Sequence, residues 1–524
     1  MLEIPPKFNL AHYFLDHNIE AGRGDKVAVY YRERTLKYHE IHRQSCAFGR
    51  LLQSLGHRQE ERVLMVLPNI PEFVPAWFGI LRTGGVVTMV NPLLPPEDYE
   101  YYLSYTRASV VIVDQDSLQR IESSLASAQF LRGVVVVGLA EERVLHGKRL
   151  IPFDRIFTLD SSHFLTETVR DDIAIWLFTS GSTGKPKAAV HRHYDFAFNT
   201  ERYAKKVLGI RENDLTLGVP KLFFGYATGT DLMFPFSVGA ATVLFSERST
   251  ADVLYDHIQC FRPTMLTSVP TMINAMLNHP LAATADLSCL RMVLSAGEAL
   301  PPELYHRWVN HFGVDILDGI GSAEMFHIYI SNEPGHVRPG SLGRLVPGYE
   351  ARIVDPQGQD VAEGDAGVLH IRGGSAALCY WNDREKSLET FAGDWCFTRD
   401  LFRRDSEGYF WYEGRSDDML KVSGIWVSPL EIENCLLQHP EVAEVCIVGY
   451  EDEVGLIKAR AWLVMKDDRI DRAEAELAAL ELKLKAFVKE RLAPHKYPRN
   501  WRFVENLPKN DRGKVDRKVI KQWS

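Results

Sequence analysis

Residues 173–187 read IAIWLFTSGSTGKPK, an apolar run followed by a loop of small and hydroxyl-bearing residues with two lysines. An unbroken apolar run of this kind is typical of a strand buried on both faces of an α/β sheet. Ligands of such folds bind beyond the carboxyl ends of the strands, so the loop is a candidate phosphate site. The motif G-x-x-x-x-G-K-[ST] is not present, because Pro186 follows Lys185. A flexible Ser/Gly-rich surface turn is the alternative interpretation.

Alternating strands and helices are predicted on both sides of this stretch. The first 170 residues contain the apolar runs KVAVYY, RVLMVLP, SVVIVD and GVVVVGL, separated by helix-like stretches such as YHEIHRQSCAFGRLLQSLG. After residue 171 the pattern continues with the runs AATVLF, PTMLTSVP and LRMVLSAG. Strands separated by helices predict an α/β fold with a layered, largely parallel sheet.

Two changes in sequence pattern and composition along the chain predict the domain organisation. From about residue 340 to 415, short β segments are split by Gly and Asp turns, which indicates an antiparallel, β-rich subdomain. After Arg415 the chain becomes nearly neutral in charge, against an acidic remainder. We therefore expect a large N-terminal domain over 1–415 and a small, mobile α+β C-terminal domain over 416–524.

Composition excludes several classes of protein. The 524 residues are 46% hydrophobic and 25% charged, and the formal charge of -9 argues against nucleic acid as a partner. Seven cysteines without a C-x-x-C pair favour a reducing compartment over a disulfide framework. The start MLEIPPKFNL lacks the features of a signal peptide, and no apolar stretch is long enough to span a membrane. A cytoplasmic protein is expected, and assembly as a homodimer is left open.

Six further stretches, in a fixed order, carry most of the functional information. They are SAGEALP (295–301), DGIGSAE (318–324), TRD (398–400), GRSDD (414–418), KVSGIWVSP (421–429) and PKNDRGKV (508–515). Together with the loop after residue 178, they resemble the adenylate-forming superfamily of acyl- and aryl-CoA ligases, luciferases and adenylation domains. The stretches KLFFGYATG (221–229) and GSAEMFHIYISN (321–332) are most similar to benzoate-CoA ligases.

The resemblance implies a two-step reaction that uses ATP, Mg²⁺ and coenzyme A. A carboxylate attacks the α-phosphate of ATP to give an acyl-AMP and pyrophosphate, and the acyl group then passes to the thiol of CoA. Charge builds on phosphate oxygens, so cations and fixed donors are needed more than an acid–base pair. The residues that match ATP- and AMP-binding positions are Thr179, Ser180, Gly181, Ser182, Thr183, Gly184, Lys187, Gly297, Glu298, Asp318, Gly319, Gly321, Ser322, Asp400, Arg415 and Lys514. Of these, Gly297, Glu298, Asp318 and Gly319 match segments that line the adenine, and Asp400 matches the carboxylate that binds both ribose hydroxyls.

Two of the matched residues are expected to be catalytic. Glu324 matches the acid that helps to hold Mg²⁺, a hard ion that favours carboxylate oxygen. Lys514 matches the catalytic lysine of the small domain, although a surface lysine in a basic tail is the alternative. Asp417 matches the hinge about which that domain rotates. The positions expected to face CoA are Ser423, Gly424 and Trp426.

The acyl pocket is expected to take a flat ring. Its matched positions are Phe224, Gly225, Tyr226, Phe234, Gly321 and Ile328. No acid follows Phe224, which argues against an amino-acid substrate with an α-ammonium group, and aromatic walls suit an aryl acid. Gly225 stands where benzoate-CoA ligases usually carry Ala, so a small substituent such as the amino group of 2-aminobenzoate is expected to fit. Alternatively, Gly225 only gives the backbone more conformational freedom and does not face the ligand.

One departure from the family pattern keeps other functions open. Ala323 stands where most relatives have a Thr whose hydroxyl contacts the α-phosphate, and Ser322 is the nearest substitute donor. The prediction is an aryl-CoA ligase. The alternatives are a stand-alone enzyme that loads an aryl group onto a carrier protein, an alicyclic or medium-chain acyl-CoA ligase, and a catalytically silent adenylate-binding protein.

Overall fold

The structure is a computed structural model of the chain. It describes residues 3–180, 185–393, 395–416, 418–422, 425–452, 457–466, 474–493, 496–509 and 515–523. Within these ranges, the description leaves out the side chains of residues 180, 421, 425, 426, 474 and 475.

Strands and helices alternate over the first 160 residues, as the apolar runs predict. The strands are β1 (Val27–Tyr31), β2 (Arg34–Lys37), β3 (Arg62–Val66), β4 (Val86–Met89), β5 (Val110–Asp114), β6 (Gly133–Val137), β7 (Arg143–Leu145) and β8 (Lys148–Pro152). The helices are α1 (His17–Glu20), α2 (Tyr38–Ser54), α3 (Phe73–Arg82), α4 (Pro96–Thr106) and α5 (Gln115–Leu125). A π-helical turn covers His12–Asp16 and a 3₁₀ turn covers Phe153–Thr158.

The same alternation continues to residue 345. The strands are β9 (Ile173–Ser180), β10 (Pro186–Arg192), β11 (Leu215–Gly218), β12 (Ala241–Val243), β13 (Met265–Ser268), β14 (Met292–Ala296), β15 (Ile316–Gly321), β16 (Ile328–Ser331) and β17 (Arg344–Leu345). The helices are α6 (His193–Asn199), α7 (Gly225–Thr228), α8 (Phe234–Phe236), α9 (Ala251–Phe261), α10 (Pro270–Leu277) and α11 (Pro302–Phe312). Short π-helical turns cover Thr200–Ala204 and Gly229–Met233, and 3₁₀ turns cover Pro280–Ala283 and Ala323–Met325.

These strands form two nine-stranded sheets. One has the order β17-β16-β15-β14-β13-β11-β12-β1-β2, and the other has the order β20-β10-β9-β4-β3-β5-β6-β8-β7. The central pairs are parallel, whereas β2, β7, β10, β16 and β17 pair antiparallel to their neighbours. All ten residues of α3 are buried, in a core that joins side chains of both sheets. The expected layered and mostly parallel architecture is confirmed.

Residues 346–415 are β-rich and antiparallel, as expected. The elements are β18 (Glu350–Val354), β19 (Gly367–Arg372), β20 (Cys379–Tyr380), α12 (Arg384–Thr390), β21 (Phe391–Ala392), β22 (Trp395–Arg404) and β23 (Phe410–Arg415). Strands β18, β19, β22 and β21 form one sheet, with β23 paired to β22. Strand β20 instead joins the edge of the second large sheet beside β10.

The remaining chain forms a small α+β unit with its own core. Its elements are β24 (Leu420–Val422), β25 (Ile425–Val427), α13 (Pro429–Leu437), β26 (Val442–Glu451), β27 (Ile457–Met465), α14 (Glu474–Arg491), β28 (Asn500–Phe503) and α15 (Arg517–Gln522). A separate apolar cluster joins α13, α14 and the sheet β26-β27-β28. Among the described residues, none of the helices combines the length and the apolar character needed to cross a bilayer.

Candidate active site

Two paired strands flank the glycine-rich stretch of the sequence. Strands β9 and β10 pair antiparallel, with Thr179 opposite Lys187 and Ser180 opposite Pro186. A strand and not a helix therefore follows the loop, which separates this site from the G-x-x-x-x-G-K-[ST] type. Gly181, Ser182, Thr183 and Gly184 lie outside the described residues. The ammonium of Lys187 lies 4.5 Å from the centroid of the Tyr380 ring, and burial lowers the pKa of this lysine.

The turn that carries Glu324 is held by donors from other elements. His191 Nε2 contacts the carbonyl oxygen of Ala323 at 2.7 Å. The Ala377 amide donates to the Glu324 carbonyl at 2.8 Å, and the Ser375 hydroxyl donates to the Met325 carbonyl at 2.8 Å. Three successive carbonyl groups are therefore anchored, which fixes the direction of the Glu324 side chain.

A strained backbone conformation occurs two residues after this acid. Phe326 has φ 66° and ψ -57°, and the His327 amide bonds to the Met325 carbonyl at 2.9 Å. This is the geometry of the rare γ-turn, which a residue other than glycine adopts only where its surroundings hold it there. Glu324 therefore lies before the turn, and β16 begins directly after it, at Ile328.

The carboxylate of Glu324 has a tyrosine partner. The Tyr380 hydroxyl donates to Glu324 Oε1 at 2.6 Å, and burial together with this carboxylate raises the pKa of the tyrosine. The Glu324 carboxylate offers the hard oxygen ligand that Mg²⁺ prefers, so the residues present fit that ion. The nearby Ser322 hydroxyl is buried and has no hydrogen-bond partner among the described residues, and Ala323 offers no hydroxyl.

The residues matched to adenine binding follow strand β14 or lie in β15. Gly297 has φ +90°, a conformation that favours glycine. The Glu298 carboxylate accepts from the amide and the hydroxyl of Thr271 at 3.2 and 2.8 Å. Burial raises the pKa of Asp318 to about 7. A Cβ on Gly319 would lie 2.8 Å from the Ile330 carbonyl oxygen, so this position excludes larger residues.

The carboxylate matched to ribose binding lies opposite an arginine. Asp400 on β22 pairs in register with Arg415 on β23, and their side chains form an ion pair at 3.6 Å. Both residues line a cleft of about 700 Å³, together with Gly297, Glu298 and Gly319. The structure thus brings the residues matched to adenine and to ribose into one cleft.

The C-terminal unit closes the other side of this cleft. Its lining residues there include Glu433, Lys509, Val515 and Arg517. Lys514 lies outside the described residues, but Lys509 and Val515 flank residues 510–514 and pair in a β-bridge. Asp417, Ser423 and Gly424 also lie outside the described residues. Trp426 lies in β25, which pairs with β24, and its side chain is not described.

Two residues matched to the acyl pocket, Tyr226 and Phe234, pack against a histidine that the sequence analysis does not single out. The His327 ring lies 4.7 Å from that of Phe234 and 5.2 Å from that of Tyr226, and its Nε2 contacts the Tyr226 carbonyl at 3.0 Å. Burial lowers the pKa of His327 to about 4, so the ring is neutral. Ile328 follows it directly and pairs with Gly321. The sequence feature that could have identified His327 is its place as a single polar residue in the apolar run MFHIYI.

Gly225 lies against β9, the strand that precedes the glycine-rich stretch. Phe224 precedes α7, which begins at Gly225, and a Cβ on Gly225 would lie 3.2 Å from a Leu177 methyl and 3.7 Å from the Phe326 carbonyl oxygen. The space beside this glycine is therefore bounded by Leu177 and by the γ-turn after Glu324. An alanine at 225 fits only if Leu177 shifts by a few tenths of an ångström.

The histidines of HRH (191–193) have structural partners. His191 is buried and its Nδ1 contacts Asp195 Oδ2 at 3.0 Å, while His193 Nδ1 accepts from the Leu10 amide at 3.2 Å. Among the described residues, a group of metal-ligand type occurs at His42, Cys46 and His163. There the two imidazoles are parallel within 6° and their nitrogens lie 3.2 Å apart, which is the geometry of an N–H···N hydrogen bond.

Taken together, the residues matched to nucleotide binding line a cleft between a large α/β body and a small C-terminal unit. The sequence profile of the AMP-binding enzymes matches residues 15–381, and that of the AMP-binding enzyme C-terminal domain matches residues 431–514. The chain belongs to the AMP-binding enzyme family. The expectation of an adenylate-forming enzyme with this fold is confirmed.

Relatives and solved structures cover nearly the whole chain. A benzoate–CoA ligase of Thauera aromatica is 40% identical over 98% of this chain and 96% of its own length. The crystal structure of an anthranilate CoA ligase with anthranoyl-AMP aligns with a TM-score of 0.93 and 38% identity, covering 99% of this chain and 98% of that one. A benzoate CoA ligase from Burkholderia xenovorans aligns with a TM-score of 0.88 and 40% identity, covering 98% and 99%.

Proposed function

We propose that this enzyme is an aryl-CoA ligase that activates benzoate or a small ring-substituted benzoate. The observation that carries the proposal is a group of packed aromatic rings, Tyr226, Phe234 and His327, directly beside the turn of Glu324, and these rings would form walls of the acyl pocket. The neutral walls suit an uncharged ring, and no carboxylate follows Phe224 to pair with an α-ammonium group. The relatives named above act on benzoate and anthranilate, which supports the same substrate class.

In the first step, this chain binds and orients two anions that must approach each other. The loop from Thr179 to Gly184 and the ammonium of Lys187 would hold the β- and γ-phosphates of ATP. Asp400 would accept from the ribose hydroxyls, and Glu324 would hold Mg²⁺. When bound, that ion neutralises phosphate charge. Lys514 would stabilise the charge that develops on the α-phosphate as the carboxylate attacks and pyrophosphate leaves.

In the second step, the adenylate meets the thiol of CoA. We propose that the unit after about residue 416 rotates about Asp417 and presents Ser423, Gly424 and Trp426 to the pantetheine chain. Sulfur then attacks the acyl carbon, the thioester bond forms and AMP leaves. The large domain would end near 415, with its β-rich subdomain over about 340–415. A cytoplasmic location stays a prediction.

The reaction is tested with purified protein, ATP, Mg²⁺ and benzoate, with and without free CoA. Benzoyl-CoA together with AMP and pyrophosphate supports the ligase. Adenylate formation without transfer to CoA would instead favour an enzyme that loads a carrier protein. Activity on alicyclic or medium-chain acids alone would contradict the aryl assignment, and protein that binds ATP without turnover would be a silent binder.

The choice of acid is tested at Gly225. We expect the wild type to accept 2-aminobenzoate at least as well as benzoate, because glycine leaves room beside the ring. In Gly225→Ala, the added methyl group would lie 3.2 Å from a Leu177 methyl, and we expect it to narrow the space proposed for the ring substituent. The kcat/KM for 2-aminobenzoate should then fall about tenfold relative to that for benzoate, the usual size of a methyl-scale difference.

A matched control for that variant is Gly24→Ala, whose Cβ would make an ordinary contact of 3.6 Å with His39. It should leave the ratio of the two kcat/KM values unchanged. A wild type that rejects every 2-substituted benzoate contradicts the hypothesis, as does a Gly225→Ala variant with an unaltered ratio.

A further inference from the structure

Tyr380 connects the two charged residues expected at the phosphate groups. Its hydroxyl donates to Glu324 Oε1 at 2.6 Å, and its ring lies 4.5 Å from the Lys187 ammonium. The carboxylate is thus held at the edge of the ring and the cation at its face, where the electron-rich π system attracts it. The structure records no direct ion pair between the described side chains of Lys187 and Glu324.

The ring of Tyr380 is well fixed. The residue is 6% exposed and lies in β20, where it pairs with Ala189 of the strand that also carries Lys187. Its amide donates to the Ser387 hydroxyl at 2.9 Å, and its side chain packs in an apolar cluster with Ala377. A side chain anchored in this way can impose its geometry on longer, more flexible neighbours.

We propose that Tyr380 is a positioning residue for the phosphate and metal groups, an inference that rests on the proposed function. Its hydroxyl orients the Glu324 carboxylate toward Mg²⁺, and its ring keeps Lys187 available for phosphate. Without the ring, opposite charges so close together would pair directly, and each would be lost to its ligand. The role of Tyr380 is therefore to separate the two charges as well as to orient the acid.

Two substitutions separate these roles. Tyr380→Phe removes the bond to Glu324 and keeps the ring under Lys187, so only the Mg²⁺ requirement should change. Tyr380→Leu removes both contacts, so the KM for ATP should also rise at saturating Mg²⁺. The matched control is Tyr105→Phe, because the Tyr105 hydroxyl donates to the neighbouring Trp381 carbonyl at 2.6 Å and the structure shows no contact with Glu324.

The primary measurement is the melting temperature in the presence of ATP, titrated with Mg²⁺ and without any acid substrate. Ligand that binds only the folded state raises the melting temperature. In Tyr380→Phe we expect the Mg²⁺ concentration for half of this stabilisation to rise about tenfold, the usual cost of losing a partner of a metal ligand. Tyr105→Phe should titrate like the wild type. The Mg²⁺ requirement of adenylate formation should likewise rise in Tyr380→Phe and stay unchanged in Tyr105→Phe.

Three outcomes would overturn the proposal. They are a Tyr380→Phe variant that titrates like the wild type, equal shifts in Tyr380→Phe and Tyr105→Phe, and a Tyr380→Leu variant with an unchanged KM for ATP. A wild type that Mg²⁺ and ATP stabilise but that activates no aryl acid counts against the proposed function alone, since the titration requires no acid.

Discussion

The Lys514→Ala variant is expected to lose adenylate formation from acid and ATP by about a hundredfold or more, while it still makes the thioester from preformed aryl-AMP. A cation aimed at the developing charge on the α-phosphate acts only in the first step, and loss of one such group typically costs this much. Lys509 and Val515, on either side of residues 510–514, line the same cleft as Asp400. The two half-reactions are measured separately, by pyrophosphate exchange and by CoA-dependent release of AMP from aryl-AMP.

Lys483→Ala is the matched control for this variant. Lys483 belongs to the same C-terminal unit, lies on α14 and has a side chain that is 65% exposed. Its removal should affect neither half-reaction. Equal loss of both half-reactions in Lys514→Ala would contradict a role confined to adenylation and would favour a general effect on folding or binding.

Asp417→Pro is expected to show the opposite pattern, with adenylation retained and transfer to CoA reduced about a hundredfold. Proline fixes φ near -65°, which would restrict rotation about this position. The flanking residues support a pivot. The Ser416 amide donates to the Arg399 carbonyl of the large part at 2.9 Å. The Asp418 amide still donates to the Arg415 carbonyl at 3.1 Å, whereas its carboxylate pairs with Lys521 of α15 at 3.1 Å. In the sequence, residue 417 therefore stands between Ser416, which contacts the large part, and Asp418, whose side chain contacts the C-terminal unit.

Asp417→Ala is the control that removes the carboxylate without fixing the backbone. It should retain transfer far better than Asp417→Pro does. If both variants lose transfer equally, the carboxylate matters and not the backbone rotation. If the proline variant transfers normally, Asp417 is not the pivot and the hinge must lie elsewhere in the chain.

The residues expected to carry the chemistry could be predicted from sequence because each belongs to a short, contiguous motif. Thr179 and Lys187 belong to one hairpin, and Asp318 and Glu324 belong to one strand and its turn. Positions of this kind are set by local backbone geometry. The partners that orient them are distant in the chain. Tyr380 is 56 residues from Glu324, and His191 is 132 residues from Ala323.

By itself, the sequence determined the class of fold, the motif residues and most of the strands. Apolar runs such as that of β9 are detectable because a strand buried on both faces must be apolar along its length. Tertiary structure alone decided how the strands are shared between sheets. Strand β1 joins β12 more than 200 residues away, and β20 leaves the β-rich region to pair with β10. Hydrophobic periodicity specifies which face of a strand is buried but not its neighbour, because that choice depends on packing between distant parts of the chain. The same packing places Tyr380 beside Glu324 and His327 between Tyr226 and Phe234.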